Sequence, residues 1–424
     1  MRVLWFTNIP LLPPAGKPQE PLRGTGGWLS ALASALAAGD HEVGICSAFP
    51  GLQDGCTTQG NMTFFSVAQG PSRRALYFVP PDERRIVHTL AECRRVIEQF
   101  RPDVVHVHGT ERFFGLLPVR YQLSCPIIVS LQGLMTECCK WVNTFGQSSW
   151  PVVLTWHTPV NAARGIGPFW TWLASQRQAK RELEIIRGNC NFAGRTDWDR
   201  SCIEAINPDA RYFHVGEILR QSFYQSRWNL AESVRETIYF SNARGPRRNV
   251  EVLLDAIALL ATRWPRVHLR LGGIERFDDG YARWLKQRAL RLGVLDRISL
   301  LGRLPADGVV AELLRCNVFV LPSRIENSPN SLCEAQLVGV PCVASSVGGV
   351  PSLVDSENTG LLFLPDDSAA LAAHIDRVFG DDCLATVLGE SAAAAAHRRH
   401  DPSQIVGQLV SAYDELARLH GVSR

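Results

Sequence analysis

Two carboxylates eight residues apart, Glu326 and Glu334, sit in the densest run of chemically capable side chains in the sequence, LPSRIENSPNSLCEAQLVGVPCVASSVGGVPSLV at 321 to 354. Ser328-Pro329 is a good helix start, with the serine capping and the proline in the first turn. Gly339 and Pro341 are suited to end it. At about 1.5 Å of rise per residue, Glu326 before the helix and Glu334 in its second turn are expected roughly 8 to 12 Å apart along one groove. That span suits the two ends of a sugar diphosphate. The amides of Asn330, Ser331 and Leu332 are expected to point out of the helix N-terminus, where the macrodipole favours an anion, so a diphosphate would sit there without metal. One glutamate would accept from sugar hydroxyls and the other from ribose hydroxyls. The competing reading is a solvated turn whose two glutamates fall eight apart by coincidence.

The elements that must position this run are legible in the apolar pattern. Residues 2 to 8 read as a buried strand, 28 to 38 as a helix with Trp28, Leu32 and Leu36 on one stripe, and 42 to 49 as a second strand. The loop between the first strand and that helix ends in RGTGGW, a glycine-rich entry to a βαβ unit. DVVHVHG (103 to 109) and PIIVSLQG (126 to 133) continue a parallel-sheet cadence. The second half repeats it from ETIYFSN (236 to 242) through a helix with Val250, Leu253, Leu254, Ile257 and Leu260 on one face, then VHLRLGG, RISLLG, NVFVLPS, PCVASS and GLLFL. Such alternation specifies open α/β sheets covered on both faces.

The expected fold class is therefore α/β, two Rossmann-like doubly wound parallel-sheet domains. The boundaries are 1–222 for an N-terminal domain and 223–402 for a C-terminal domain. A last helix within 403–424, with Ile405, Leu409, Tyr413, Leu416 and Leu419 at helical spacing, must bury its face and is expected to cross back to the first domain.

Composition bounds the partners. A chain of 424 residues fits two domains of about 200 residues, and 46% apolar with 20% charged residues describes a folded globular protein. Lys plus Arg at 44 against Asp plus Glu at 41 leaves +3, too little for a dedicated nucleic-acid binder, so any anion site is local. Twelve cysteines without a Cys-x-x-Cys pair fit a reduced interior better than a disulfide framework or a zinc site. The apolar start reads as a strand and not as a signal peptide, and no run of 18 apolar residues is present to span a bilayer. Five of eleven tryptophans fall between 141 and 172, ahead of a basic run from Arg177 to Arg187. Core packing explains such a segment; an interfacial element bringing the chain to a lipid-linked acceptor is the alternative.

Glu326-x7-Glu334, Ala335, the run Gly339 to Ser345 and the loop Gly348-Gly349 resemble the signature of glycosyltransferase family 4. The resemblance covers most of the chain and is most specific from 236 to 365. It implies a retaining, nucleotide-sugar-dependent enzyme of the GT-B fold, with two facing domains and the active site between them. It places Glu326 by the donor sugar and Glu334 on the ribose. SNARGPRRNVEVLLDAI (241 to 257) resembles the family segment whose basic side chains hold the leaving diphosphate. Arg248 takes the place of the usual lysine. Asn242 stands where an arginine is usual, so Arg244 or Arg247 would substitute. Cleaving the anomeric bond develops negative charge on the diphosphate, which preorganised cations stabilise.

By the same resemblance Gly26 and Gly27 lie close to the donor phosphates, where a Cβ would obstruct. His106 and His108 end a strand whose tip faces the crevice; with one of the two turned inward, His108 is the cleft candidate and His106 a core histidine. Gln132 stands where many members carry a histidine near the donor sugar. Glutamine is no acid or base, which fits a front-face mechanism in which the leaving phosphate takes the acceptor's proton, with Gln132 orienting a hydroxyl. Asp197-Trp198-Asp199 matches the metal-binding pattern of GT-A enzymes, but its place at a helix start favours a structural role, and neither metal nor cofactor is expected.

These features point to a hexosyl transfer from a nucleoside diphosphate sugar to a hydroxyl of a glycan or lipid-linked acceptor in bacterial-type polysaccharide assembly. The expected location is cytoplasmic, with peripheral contact at the inner membrane face left open. A GT-B sugar-nucleotide epimerase and a catalytically silent nucleotide-sugar-binding scaffold are the alternatives.

Overall fold

Val3, Leu4, Trp5 and Phe6 are all fully buried, as a strand covered on both faces requires. In the computed structural model, which describes residues 1–11, 27–49, 51–69, 83–141, 168–278 and 280–421, that strand is the middle of an eight-stranded sheet. Its members are β1 (Arg2–Thr7), β2 (Glu42–Phe49), β3 (Gly55–Gln59), β4 (Met62–Ala68), β5 (Val104–His108), β6 (Ile127–Ser130), β7 (Asn191–Gly194) and β8 (Arg211–His214). The order is β3-β4-β2-β1-β5-β6-β7-β8, parallel throughout except for the β3–β4 hairpin. The second sheet has β9 (Thr237–Phe240), β10 (His268–Gly272), β11 (Ile298–Gly302), β12 (Val318–Leu321), β13 (Cys342–Ser345) and β14 (Leu361–Phe363) in the order β11-β10-β9-β12-β13-β14.

The described residues form two compact units. One joins Met1–Cys139, Phe169–Ile218 and His400–Arg424, and the other contains Leu219–Arg399. The change of unit falls between Ile218 and Leu219, a few residues before 222/223. The helix Pro402–Leu419 belongs to the first unit and buries Ile405, Leu409, Tyr413 and Leu416 there, while Leu419 remains 51% exposed.

Strand order decides where loops from distant parts of the sequence meet. In the second sheet β9 pairs with both β10 and β12, so the connections leave its two sides in opposite directions. Crevices at such a reversal, beyond the carboxyl ends of the strands, are the ligand-binding places of open α/β sheets. The loop after β9 carries Arg244, Arg247 and Arg248; the loop after β12 carries Glu326. In the first sheet the reversal lies between β1 and β5, and β5 ends at His108.

The helix Pro402–Leu419 is fixed by buried hydrogen bonds as well as by apolar contact. Trp5 Nε1 donates to Tyr413 Oη at 3.0 Å, and Tyr413 Oη lies 2.6 Å from His106 Nδ1. The indole donates to this hydroxyl, whose own proton is then available to Nδ1, and His106 Nε2 lies 2.6 Å from Ser130 Oγ. Burial holds His106 down at about 3, so the ring is neutral in the folded chain. Tyr413→Phe removes the partner of both rings and is expected to cost about 1–3 kcal/mol in urea denaturation. His106 has a folded pKa below its ordinary 6.5, so its contribution is intact above that pH and is lost as pH falls toward 3. Acid titration of stability should be shallower in His106→Gln.

Candidate functional site

The helix that bears Glu334 runs Asn330–Val338, and every residue from Leu332 to Val338 is buried. It stops at Gly339, whose φ of +86° is the left-handed cap and whose amide bonds the Ala335 and Gln336 carbonyls at 3.1 and 3.0 Å. Its start differs from expectation. The N-cap is Pro329, and no side chain caps the helix, so Ser328 does not play that part. Cys333 and Leu332 both donate to the Pro329 carbonyl, at 3.2 and 3.0 Å. The Leu332 amide is therefore committed within the first turn, and of the three expected anion donors it drops out. The Ser331 amide makes no hydrogen bond among the described residues.

Glu326 and Glu334 are 8% and 6% exposed, so neither is the solvated glutamate of the coincidental turn. Each meets an arginine. Arg248, from the loop after β9, bonds Glu326 through Nη1. Arg220 binds Glu334 in a two-pronged pair, Nε to Oε1 at 2.9 Å and Nη2 to Oε2 at 2.8 Å. Burial pushes the Glu334 carboxyl up to about 7, against the pull of the Arg220 guanidinium. Arg244 is exposed at the edge of the same loop, its amide 3.4 Å from Asn242 Oδ1, and Arg247 is half-buried beside Arg248.

The main chain around Glu326 is held from two sides. The Gly349 amide donates to the Glu326 carbonyl at 3.1 Å, and a Cβ on Gly348, at φ +51°, would stand 2.0 Å from that oxygen. Only glycine allows this approach. From the other side Arg324, 3% exposed, ties the loops together. Its amide donates to the Arg247 carbonyl at 2.9 Å. Its Nη1 donates to the Pro246 carbonyl at 2.9 Å and to Glu251 Oε1 at 2.8 Å, and its Nη2 donates to Asp366 Oδ1 at 2.6 Å. Arg324 thus fixes the residues just before Arg248 while standing two residues before Glu326.

In the first unit His106 and His108 do not alternate. Residues two apart on a strand share a face, and the two rings stack with centroids 3.9 Å apart at 29°. His108 is 2% exposed, and both its ring nitrogens are buried without a hydrogen-bond partner. Burial first, then His106, holds its pKa well below the usual range, which makes it a neutral group. It lines a cavity of about 20 Å³ together with Gln132, Arg195 and Glu217, the last two an ion pair. Arg195 Nη2 lies 3.4 Å from Gln132 Oε1. Gly27 is the exposed first residue of its helix, and Gly26 lies outside the described residues. So does most of the tryptophan-rich segment, residues 142–167; Trp170 and Trp172 belong to the helix Pro168–Gly188.

Asp199 closes a capping box with Thr196 and accepts from Tyr212 Oη, and Asp197 is in the first turn of the same helix. This is the structural role expected at a helix start. Among the described residues no three His, Cys, Asp or Glu side chains cluster as a metal site, and no helix is long and apolar enough to cross a membrane.

Sequence reading passed over Arg220, Arg324 and a pair of buried carboxyls at the tips of β1, β5 and β6. Glu111 accepts from Asn8 and from the Gly133 amide, and Glu182 accepts from Thr110 and the Thr136 amide. Burial raises Glu111 to about 7. The partners are dozens of residues apart, and no short spacing announces them.

Two parallel-sheet α/β units of this kind make up the GT-B fold, and in the second of them an arginine and a glutamate meet at a strand reversal. The profile described as Glycosyl transferases group 1 matches residues 225–395, and that described as Glycosyltransferase Family 4 matches residues 23–186. The D-inositol 3-phosphate glycosyltransferase of Stackebrandtia nassauensis is 30% identical over 306 residues, which are 66% of this chain and 68% of that protein. The chain spans about half the length of other curated relatives it matches, 49% of one and 43% of another. Among solved structures, sucrose-phosphate synthase (tll1590) of Thermosynechococcus elongatus has a TM-score of 0.73 at 18% identity over the whole of both chains. Anabaena Alr3699/HepE, in complex with UDP and glucose, has a TM-score of 0.66 at 17% identity, over 98% of this chain and all of that one. The chain belongs to glycosyltransferase family 4.

Arg324→Met would leave the buried Glu251 without its guanidinium partner, and is expected to destabilise by about 3–5 kcal/mol in denaturant titration. Gly348→Ala, which drives a methyl into the Glu326 carbonyl, is expected to lower Tm more than Gly421→Ala at an open position.

Proposed function

We propose that the chain is a retaining hexosyltransferase that moves a sugar from a nucleoside diphosphate donor to a hydroxyl of a glycan or lipid-linked acceptor in polysaccharide assembly. The observation that carries this reading is the meeting of Arg248 and Glu326 across the β9/β12 reversal, beside a helix N-terminus. In the proposed complex the diphosphate takes Arg248, assisted by Arg247, Arg244 and the Asn330 and Ser331 amides. Glu326 turns to the sugar hydroxyls and Glu334 to the ribose. An anion of higher charge competes effectively for a guanidinium because charge-assisted bonds strengthen with it.

Cleavage of the anomeric bond leaves its electron pair on the diphosphate oxygen, where Arg248 and the helix amides stabilise it. That phosphate then accepts the proton of the attacking hydroxyl on the same face, so no side-chain base is required. The reaction needs no metal, and chelator is expected to leave the rate unchanged. Support for a nucleotide-sugar donor comes from Alr3699/HepE, a structural neighbour bound to UDP.

The lipid-linked form of the acceptor and the inner membrane face as the place of action belong to this proposal. The helix Pro168–Gly188 favours them, with Trp172 exposed at 41% and Arg177, Lys180 and Arg187 exposed along it. Binding to anionic vesicles that weakens in Trp172→Ser is the corresponding test.

The donor is identified by a thermal-shift panel of UDP-, GDP- and ADP-sugars, since a ligand that binds the native state raises its apparent stability. With the stabilising donor, Arg248→Met is expected to lower kcat by about 10²–10³. Glu326→Ala should abolish transfer while the fold persists. Acceptor-independent conversion of the donor would instead indicate an epimerase, and donor binding without any turnover a scaffold.

A further inference from the structure

Glu334 is nearly sealed from water, and a carboxyl so buried resists ionisation. Yet in the proposed function it must accept hydrogen bonds from the two ribose hydroxyls, which a protonated carboxyl does less well. Only one cation bonds it among the described residues. Arg220, at the start of the second unit, meets both carboxylate oxygens at 2.9 and 2.8 Å. Its guanidinium lies 4.6 Å from the centre of the Phe223 ring, and Phe223 is fully buried. This cation–π contact, together with the two-pronged bond, anchors the guanidinium on a buried ring, so the pair is not a loose surface contact.

We propose that Arg220 is a positioning residue for the donor nucleotide: its two-pronged bond favours the carboxylate form of Glu334 and fixes the orientation that receives the ribose hydroxyls. Each carboxylate oxygen keeps further accepting capacity beyond the one bond it takes from Arg220. The inference rests on the reading that Glu334 binds ribose.

Other titratable groups on the elements around this helix do not substitute for Arg220. Tyr239 from β9 is uncharged, with its hydroxyl buried and without a partner. Burial raises Tyr239, Cys316 and Cys342, which keeps them neutral. Glu312 is tied to Arg270, and Arg399, on the helix Asp382–Arg399, donates to Gln336. Glu390 and His397 of that helix line a groove with Tyr224 and Trp228.

The test is calorimetric titration of UDP, GDP and ADP onto the full chain between about pH 6 and about pH 9, with Tm measured for each variant. In the wild type, affinity for the nucleotide that binds is expected to fall as pH drops through about 7, where Glu334 takes a proton. Arg220→Met should move that fall to higher pH and weaken binding about tenfold for each unit of displacement, measured at neutral pH. Arg220→Lys, which keeps the charge and loses the fork, should lie between. Glu334→Gln should bind weakly with no fall in this range beyond the ligand's own titration, which all variants share. A profile in Arg220→Met that is displaced equally at every pH, or not at all, overturns the positioning role. Failure of the wild type to bind any of the three nucleotides overturns the functional reading itself, and the inference with it.

Discussion

The reversal of strand order beside β9 is the constraint on which the site depends. Two strands pair in parallel, so both carboxyl ends lie at the same edge of the sheet, and Ile238 against Val318 and Tyr239 against Phe319 fix their register. The loops that follow must then run side by side although Arg248 and Glu326 are 78 residues apart. Because helices leave β9 and β12 toward opposite sides of the sheet, nothing from the sheet itself fills the gap between those loops. The Arg248–Glu326 pair thus sits at an edge where backbone pairing leaves room for a ligand.

Within that gap the charges are arranged as exchangeable pairs. Glu326 with Arg248 and Glu334 with Arg220 are partly desolvated, and an unpaired charge there would be costly, so each acid keeps a base. The two pairs differ in kind. Arg220 holds both oxygens of Glu334 and lies over a buried ring, a geometry made to persist. Arg248 meets Glu326 through Nη1 from the loop after β9, a contact that the proposed diphosphate would open. Arg324 and the Gly348-Gly349 turn keep the backbone under both loops from following when it does, since Arg324 bonds two of the loop's own carbonyls.

Much of this was legible in the sequence because strong periodicity and helix-stop chemistry are local. Runs such as Val3–Phe6 and the stripe from Val250 to Leu260 announce buried elements, and Gly339 announces a helix end. The β3–β4 hairpin was not, because β3 (GCTTQ) is exposed along its whole length and carries no apolar alternation. Ser328 looked like a cap, but the proline after it is extended and sits at the cap position itself. His106 and His108 were read as alternating, whereas residues two apart on a strand share a face and the two rings stack. Arg220 and Arg324 were hidden for a different reason. Their partners lie 114, 73 and 42 residues away, so no spacing rule of a single element can bring them together.

The proposed place for the diphosphate of an activated sugar is between the loops after β9 and β12. A crystal structure of the chain soaked with the nucleotide that binds tests it most directly. The account predicts phosphate oxygens within hydrogen-bond distance of Arg248 and the Ser331 amide, with the ribose at Glu334 and the Arg248–Glu326 contact opened. Nucleotide seated elsewhere, for instance in the groove lined by Trp228 and His397, with that contact still closed, would contradict it.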